Sequence, residues 1–357
     1  MKINVTKTYL PPIEEYIKYL EKIWKTNWVT NAGPLVTELE AKLKKELGVK
    51  HLFFTSNGTI ALQIAIKALG LKKEIITTPF SYVATTTSIL WENCKPVFVD
   101  IDPKTFCINP ALIEEKITPD TEAILATHVY GIPCDVEAIE KVAKKYKLKV
   151  IYDAAHAFGT LYKRKSLVGY GDVSTLSFHA TKLFHTIEGG AIITNDDEVA
   201  EKIFLYRSFG HVDDNYFSIG INGKNSEFHA AMGLCLLGMV PKFIEKRKQL
   251  FGEYDKQLRQ LNLLRPLIPA NTFYNYAYYP VVFKDEASLL KVKATLAEHN
   301  IFPRRYFYPS LNKLPYVFSA NACPVSESYA KRTLCLPMYQ ELTNDEVIRI
   351  SKIIVKA

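Results

Sequence analysis

Residues 51–69 read HLFFTSNGTIALQIAIKAL. The first five form an apolar run closed by a Ser-Asn-Gly turn, and the stretch Gly58–Leu69 places Ile60, Leu62, Ile64, Ala65, Ile66 and Leu69 at helical spacing. A strand that turns directly into an apolar helix is the opening of a strand–helix–strand unit in a parallel sheet. The alternation continues downstream. Apolar runs at His51–Thr55, Glu74–Thr77, Pro96–Val99, Ala123–Thr127, Lys149–Tyr152, Ser174–Phe178 and Gly190–Thr194 read as strands buried on both faces. Cys134–Tyr146 reads as a helix with Val136, Ile139, Val142 and Ala143 on one side. The fold class expected is α/β, with a mostly parallel central sheet and flanking helices, and ligands belong beyond the carboxyl ends of the strands.

After Asn195 the pattern changes. A helix is expected over Asp196–Arg207 and a polar, aromatic loop over Phe209–Lys224, followed by a long helical stretch, Glu227–Gln260, interrupted near Pro241. An aromatic strand (Thr272–Phe283), a helix (Glu286–Asn300), an irregular segment (Phe302–Tyr316) and a closing helix (Asn344–Val355) follow. The proline divides the chain into a large α/β domain, 1–240, and a smaller C-terminal α+β domain, 241–357, against which the extreme N-terminus is free to pack.

Composition narrows the classes. The chain has 357 residues, 48% hydrophobic and 23% charged, which excludes disordered, collagen-like and fibrous proteins. Its net charge of +8 suits anionic ligands such as phosphate esters, and solvated lysines explain it equally well. No nucleic-acid partner is expected. The six cysteines (Cys94, Cys107, Cys134, Cys235, Cys323, Cys335) occur singly, with no spacing suited to zinc, so no metal site is expected and reduced thiols in the cytoplasm are. The start, MKINVTKTYLPP, lacks the apolar core of a signal peptide, and the longest nearly apolar stretch, Ala230–Val240, is too short to span a bilayer. No membrane association is expected.

Three clusters carry chemistry. Thr55-Ser56-Asn57-Gly58-Thr59 stands where a strand meets a helix, so its free N–H groups would cradle a phosphate; a plain N-cap explains the same residues. Asp153, in Ile151-Tyr152-Asp153-Ala154-Ala155-His156, ends an apolar strand, where a carboxylate is costly unless a positive group meets it. A protonated pyridine nitrogen would meet it, and a helix cap is the ordinary alternative. Lys182, in Ser177-Phe178-His179-Ala180-Thr181-Lys182 ahead of Glu188-Gly189-Gly190, suits a Schiff-base lysine or, equally, a surface loop lysine. Together they supply the anion site, pyridinium partner and amine that pyridoxal 5'-phosphate needs. GxGxxG after the first strand, GxxxxGK[ST] and GxSxG are absent from the sequence.

The chain resembles the DegT/StrS-type sugar aminotransferases, fold-type I pyridoxal-phosphate enzymes acting on nucleotide-linked keto sugars. The matching segments are WVTNAGPLVTELE (28–40), SNGTIALQIA (56–65), TPFSYVAT (78–85), PVFVDID (96–102), HVYGIPC (128–134), YDAAHAFG (152–159), Ser177–Gly190, GINGKNSEFHAA (220–231) and LCLPM (334–338). The resemblance implies that Lys182 is the Schiff-base lysine and proton shuttle. It implies that Asp153 holds the pyridine nitrogen, His156 lies near the phenolic oxygen and Tyr82 stacks on the ring. Gly58, Thr59 and Ser177 then bind the phosphate, and Asn222 reaches it from the neighbouring subunit, which implies a homodimer with the active site at its interface.

Two segments depart from the family. Asn222-Gly223-Lys224-Asn225 stands in place of Asn-Tyr-Arg-Met, and Tyr308-Pro309-Ser310-Leu311-Asn312 lacks the usual histidine. Candidate substrate contacts are Lys224, Arg304, Arg305, Tyr308 and His211. The reaction implied moves an amino group from an amino acid, expected to be L-glutamate, through pyridoxamine phosphate to a nucleotide-linked keto-6-deoxy sugar. The expected acceptor position is C4 of dTDP-4-keto-6-deoxyglucose, giving dTDP-4-amino-4,6-dideoxyglucose for surface polysaccharide such as the lipopolysaccharide O-antigen. C3 amination is the alternative. A sugar 3-dehydratase would carry histidine in place of Lys182, and the intact set of Asp153, Ser177 and Lys182 argues against a non-catalytic regulator.

Overall fold

Runs of β-branched and apolar residues that bury both faces leave few arrangements other than a covered sheet. The computed structural model describes residues 2–317 and 322–357. Its central sheet has seven strands: β1 (His51–Thr55), β2 (Glu74–Thr77), β3 (Lys95–Phe98), β4 (Thr121–Thr127), β5 (Lys149–Asp153), β6 (Val173–Ser177) and β7 (Gly190–Thr194). Their order is β1-β7-β6-β5-β4-β2-β3, and only β7 runs against the others. The strand limits read from sequence agree within two residues.

Among the described residues the helices are α1 (Ile13–Thr26), α2 (Pro34–Leu47), α3 (Gly58–Ala68), α4 (Val83–Trp91), α5 (Val136–Tyr146), α6 (Asp197–Arg207), α7 (Glu227–Leu237), α8 (Val240–Leu258), α9 (Glu286–Glu298), α10 (Pro324–Arg332) and α11 (Asn344–Lys356). The sequence pattern alone does not assign α1, α4 or α10. α7 and α8 are bent by 61° at the break beside Pro241. No single described helix is long and apolar enough to cross a membrane.

Beyond that bend a second core gathers Leu250, Tyr254, Leu289, Leu296, Val347 and Ile350 around the antiparallel pair β8 (Tyr279–Val282) and β9 (Thr333–Leu336). Ile3 is buried in the same core, because Ile3–Asn4 pairs in parallel with Ile301–Phe302. The aromatic run Thr272–Phe283 is not one strand. Thr272–Phe273 pairs with Leu161–Tyr162, and Tyr279–Val282 pairs with β9. Between them Tyr276 takes a φ of 52°, and the buried Asn275 amide donates to the carbonyls of His156 (2.7 Å) and Phe158 (2.9 Å). A side chain committed to those carbonyls interrupts the ladder.

Glue between the helices is also polar. α2 has no side-chain cap of its own; instead the buried Glu227 carboxylate accepts the Leu35 N–H at 2.7 Å and the Val36 N–H at 3.0 Å. Glu227→Ala leaves those donors buried and unpaired, so the folded state should lose about 2–3 kcal/mol. Urea unfolding checks this, with Glu227→Gln expected to lose less because its amide oxygen still accepts one bond.

Candidate active site

The antiparallel β7 begins where the parallel strands end, and this sets the site. Gly190 is opposite both Thr55 and Ser177, and a Cβ on it would stand 2.6 Å from the Asn57 carbonyl group. Only glycine lets β7 approach the β1–α3 turn this closely. Asn57 caps α3 by accepting the Ile60 N–H at 2.9 Å, so the N-cap reading holds. The Gly58–Thr59 turn also lines a cavity of about 320 Å³. The cap and the phosphate cradle are two uses of one helix start.

That cavity brings together Gly58, Thr59, Tyr82, Asp153, His156, Ser177, Lys182 and Arg304. Asp153 terminates β5, and its oxygens accept from Thr85 Oγ1 at 2.7 Å and the Ala155 N–H at 3.1 Å. Burial raises its carboxyl above the ordinary value, opposed by those two donors and by the Lys182 charge. Lys182 lies in the β6–β7 connection. Burial brings its amine down to about 8, against a smaller upward pull from Asp153. A near-neutral amine is a nucleophile, which a surface lysine is not.

His156 Nδ1 accepts the Tyr130 N–H at 3.3 Å, which leaves the ring proton on Nε2. Burial holds this ring well below the usual histidine range, so it is neutral and a donor. Phe307 lies parallel to it at 5.8 Å and Tyr278 edge-on at 4.8 Å. Tyr130 Oη donates to the Tyr306 carbonyl, fixing the segment that carries Tyr306 and Phe307. Half-exposed Tyr82 precedes α4 at the rim.

The model of the DegT/DnrJ/EryC1/StrS aminotransferase family matches residues 12–355. The chain belongs to this family. It is 46% identical over 350 residues to a dTDP-4-amino-4,6-dideoxy-D-glucose transaminase of Shigella dysenteriae, covering 96% of this chain and 95% of that protein. It superposes on DesI, solved in the presence of its TDP-sugar product, with a TM-score of 0.93 at 31% identity, over 99% of this chain and 92% of that one. NtdA of Bacillus subtilis, solved with bound cofactor PMP, gives 0.89 at 30% identity, over 97% of this chain and 82% of that one.

Like its family, this aminotransferase is pyridoxal-phosphate dependent, and the cavity fits the group. It joins a buried carboxylate that has no ion pair among the described residues, a glycine-lined helix start and an amine brought to about 8. Several expected residues lie elsewhere. Asn222 bridges to Ser208, Lys224 covers the Phe209 ring at 4.8 Å, and His211 sits in a short hairpin against Tyr216 at 5.1 Å. Arg305 is paired with Glu286 at 2.6 Å and lies 3.5 Å from the Tyr308 ring, and neither residue lines the cavity. Tyr278, Tyr306, Phe307, Thr85 and Asn225 were not anticipated. Asn225 Nδ2 donates to Thr55 O (3.2 Å) and Glu188 O (3.0 Å), tying the cradle to the lysine loop. The one local signal was Thr85-Thr86-Thr87, a poor composition for a helix.

Two measurements follow from the charges. In cofactor-free protein, arylation of Lys182 by dinitrofluorobenzene, followed by peptide mass spectrometry, should rise with pH through about 8 and level off; a rate still climbing above pH 10 would count against the neutral amine. Stability should also fall as pH drops from 7.5 to 5.5. Burial takes His128 down to about 3 and His156 well below its ordinary value, so both stay neutral when folded and take protons near 6.5 when unfolded. The loss is about 2–3 kcal/mol for the two rings, measured by urea unfolding at both pH values.

Proposed function

We propose that the protein transfers the amino group of L-glutamate to C4 of dTDP-4-keto-6-deoxyglucose, giving dTDP-4-amino-4,6-dideoxyglucose for a surface polysaccharide such as the lipopolysaccharide O-antigen. The observation that carries this reading is the near-full-length identity with the Shigella transaminase. Bound pyridoxal phosphate supplies an aldehyde and an electron-withdrawing ring through which an amino group passes from donor to keto sugar. Lys182 Nζ would hold that aldehyde and, once the donor's amine has displaced it, would move a proton from the donor α-carbon to the sugar carbon. Asp153 would keep the ring nitrogen protonated and the His156 Nε2–H would face the phenolic oxygen. Gly58, Thr59 and Ser177 would hold the phosphate, with Tyr82 beside the ring.

Arg304 is the substrate-binding cation of the cavity: it is among the lining residues, with its guanidinium 5.2 Å from the Tyr306 ring. The remaining contacts come across a homodimer. Asn222, Lys224 and His211 share a segment outside their own cavity, with Tyr216, Phe217 and Ile219 exposed beside them and Ile13, Trp24 and Trp28 exposed on and after α1. Apolar surface on that scale favours a second copy, whose segment would bring Asn222 to the phosphate. Cys94, Cys107, Cys134, Cys235 and Cys335 are free thiols, which supports operation in the cytoplasm. The bend at Pro241 and the separate second core support division into domains 1–240 and 241–357.

Incubation with pyridoxal phosphate, L-glutamate and dTDP-4-keto-6-deoxyglucose, with NMR of the product, should yield the C4 amine. Lys182→Ala should stay folded, lose its visible absorbance and form no product. Amination of the 3-keto isomer alone would overturn the C4 assignment.

A further inference from the structure

Asp153 is approached by hydroxyls that the reaction above leaves unused, and two of the residues that carry them, Ser81 and Thr127, also line the cavity. Thr85 Oγ1 is 2.7 Å from Asp153 Oδ2, Ser81 Oγ is 2.7 Å from Thr85 Oγ1, and Thr127 Oγ1 is 3.1 Å from Ser81 Oγ. All four residues are buried. They come from the end of β4, the turn before α4, the first turn of α4 and the end of β5.

The direction of each bond follows from counting protons. A hydroxyl carries one hydrogen and a carboxylate none. Thr85 gives its hydrogen to Asp153, so the Ser81–Thr85 bond must be donated by Ser81, and the Thr127–Ser81 bond by Thr127. Buried hydroxyls ordinarily satisfy themselves on backbone carbonyls, as Thr333 does on Tyr329 O at 2.7 Å and Thr77 on Leu125 O at 2.9 Å. The hydrogens of Thr127, Ser81 and Thr85 go to other side chains, and all point toward one carboxylate.

We infer that Thr127, Ser81 and Thr85 form a directed relay of donors that holds Asp153 ionised and aimed into the cavity, which makes Ser81 and Thr127 positioning residues for amino transfer. The inference rests on the role of Asp153 given above. Each donor polarises the next, so the last bond to the carboxylate is stronger than an isolated one. Burial works against the ionised form, while the Ala155 N–H and the Lys182 charge work with the relay. His156 across the cavity and His128 behind the strand are neutral and add no charge.

The test is a carboxyl titration of cofactor-free, full-length protein labelled with [13C]carboxyl aspartate, the Asp153 signal being assigned from the Asp153→Asn spectrum. Thr85→Val should raise the Asp153 midpoint by about one pH unit. Ser81→Ala and Thr127→Val should each raise it by a few tenths, and Thr85→Ser should restore it. Thermal unfolding identifies any variant that fails to fold, and Ser81→Ala and Thr85→Ser then decide the question. Midpoints for Ser81→Ala and Thr127→Val equal to wild type would overturn the relay. A protein that takes up no pyridoxal phosphate would sink the functional reading, whereas the titration, made without cofactor, still decides for or against the relay.

Discussion

The Asp153 carboxylate has to stand, ionised, at the dry end of a central strand. A lone carboxylate there would neutralise itself, so the surrounding chain must supply donors and an opposing charge. β5 puts the residue in place, α4 brings Thr85, the turn after β5 brings the Ala155 N–H, and the β6–β7 connection brings Lys182. Each also answers to its own packing. α4 cannot slide without losing Thr85, and the lysine loop is tied to the end of β1 through Asn225. One charge thus recruits three separate elements.

The two ionisable groups that matter most are displaced in complementary directions by the same cause. Burial raises the acid and lowers the amine; the amine, brought to about 8, is placed to exchange protons near neutrality, while the donors on the acid oppose its rise. The histidines behave otherwise. His156 and His128 are locked neutral by burial, so one serves as a fixed donor and the other as filling stacked on Tyr152 at 4.5 Å.

Legibility in the sequence followed the range of the interactions. β1, its turn and α3 are specified within twenty residues, and β5 with Asp153 and the Lys182 loop within thirty-five, so local pattern and motif were enough to read them. Family likeness then pointed to Tyr82 and Ser177 at the cavity. Tyr278 and Tyr306 come from aromatic segments beyond Pro241, and nothing local links them to the strand end at Asp153, 125 and 153 residues earlier. Arg305 read as a candidate substrate contact because its partner, Glu286, lies nineteen residues away at the start of α9. The single-strand reading of Thr272–Phe283 failed for the same reason: the carbonyls that claim Asn275 belong to the loop after β5.

The pairing of Ile3–Asn4 with Ile301–Phe302 sets an order of events during synthesis. A ribosome adding about 5–20 residues per second leaves the first strand without its partner for roughly 15–60 s. All seven strands of the central sheet have been made by residue 194, well before Ile301 appears. The sheet with its catalytic edge can therefore assemble while the N-terminal strand still waits, and the second core closes last, clasped by the two ends of the chain.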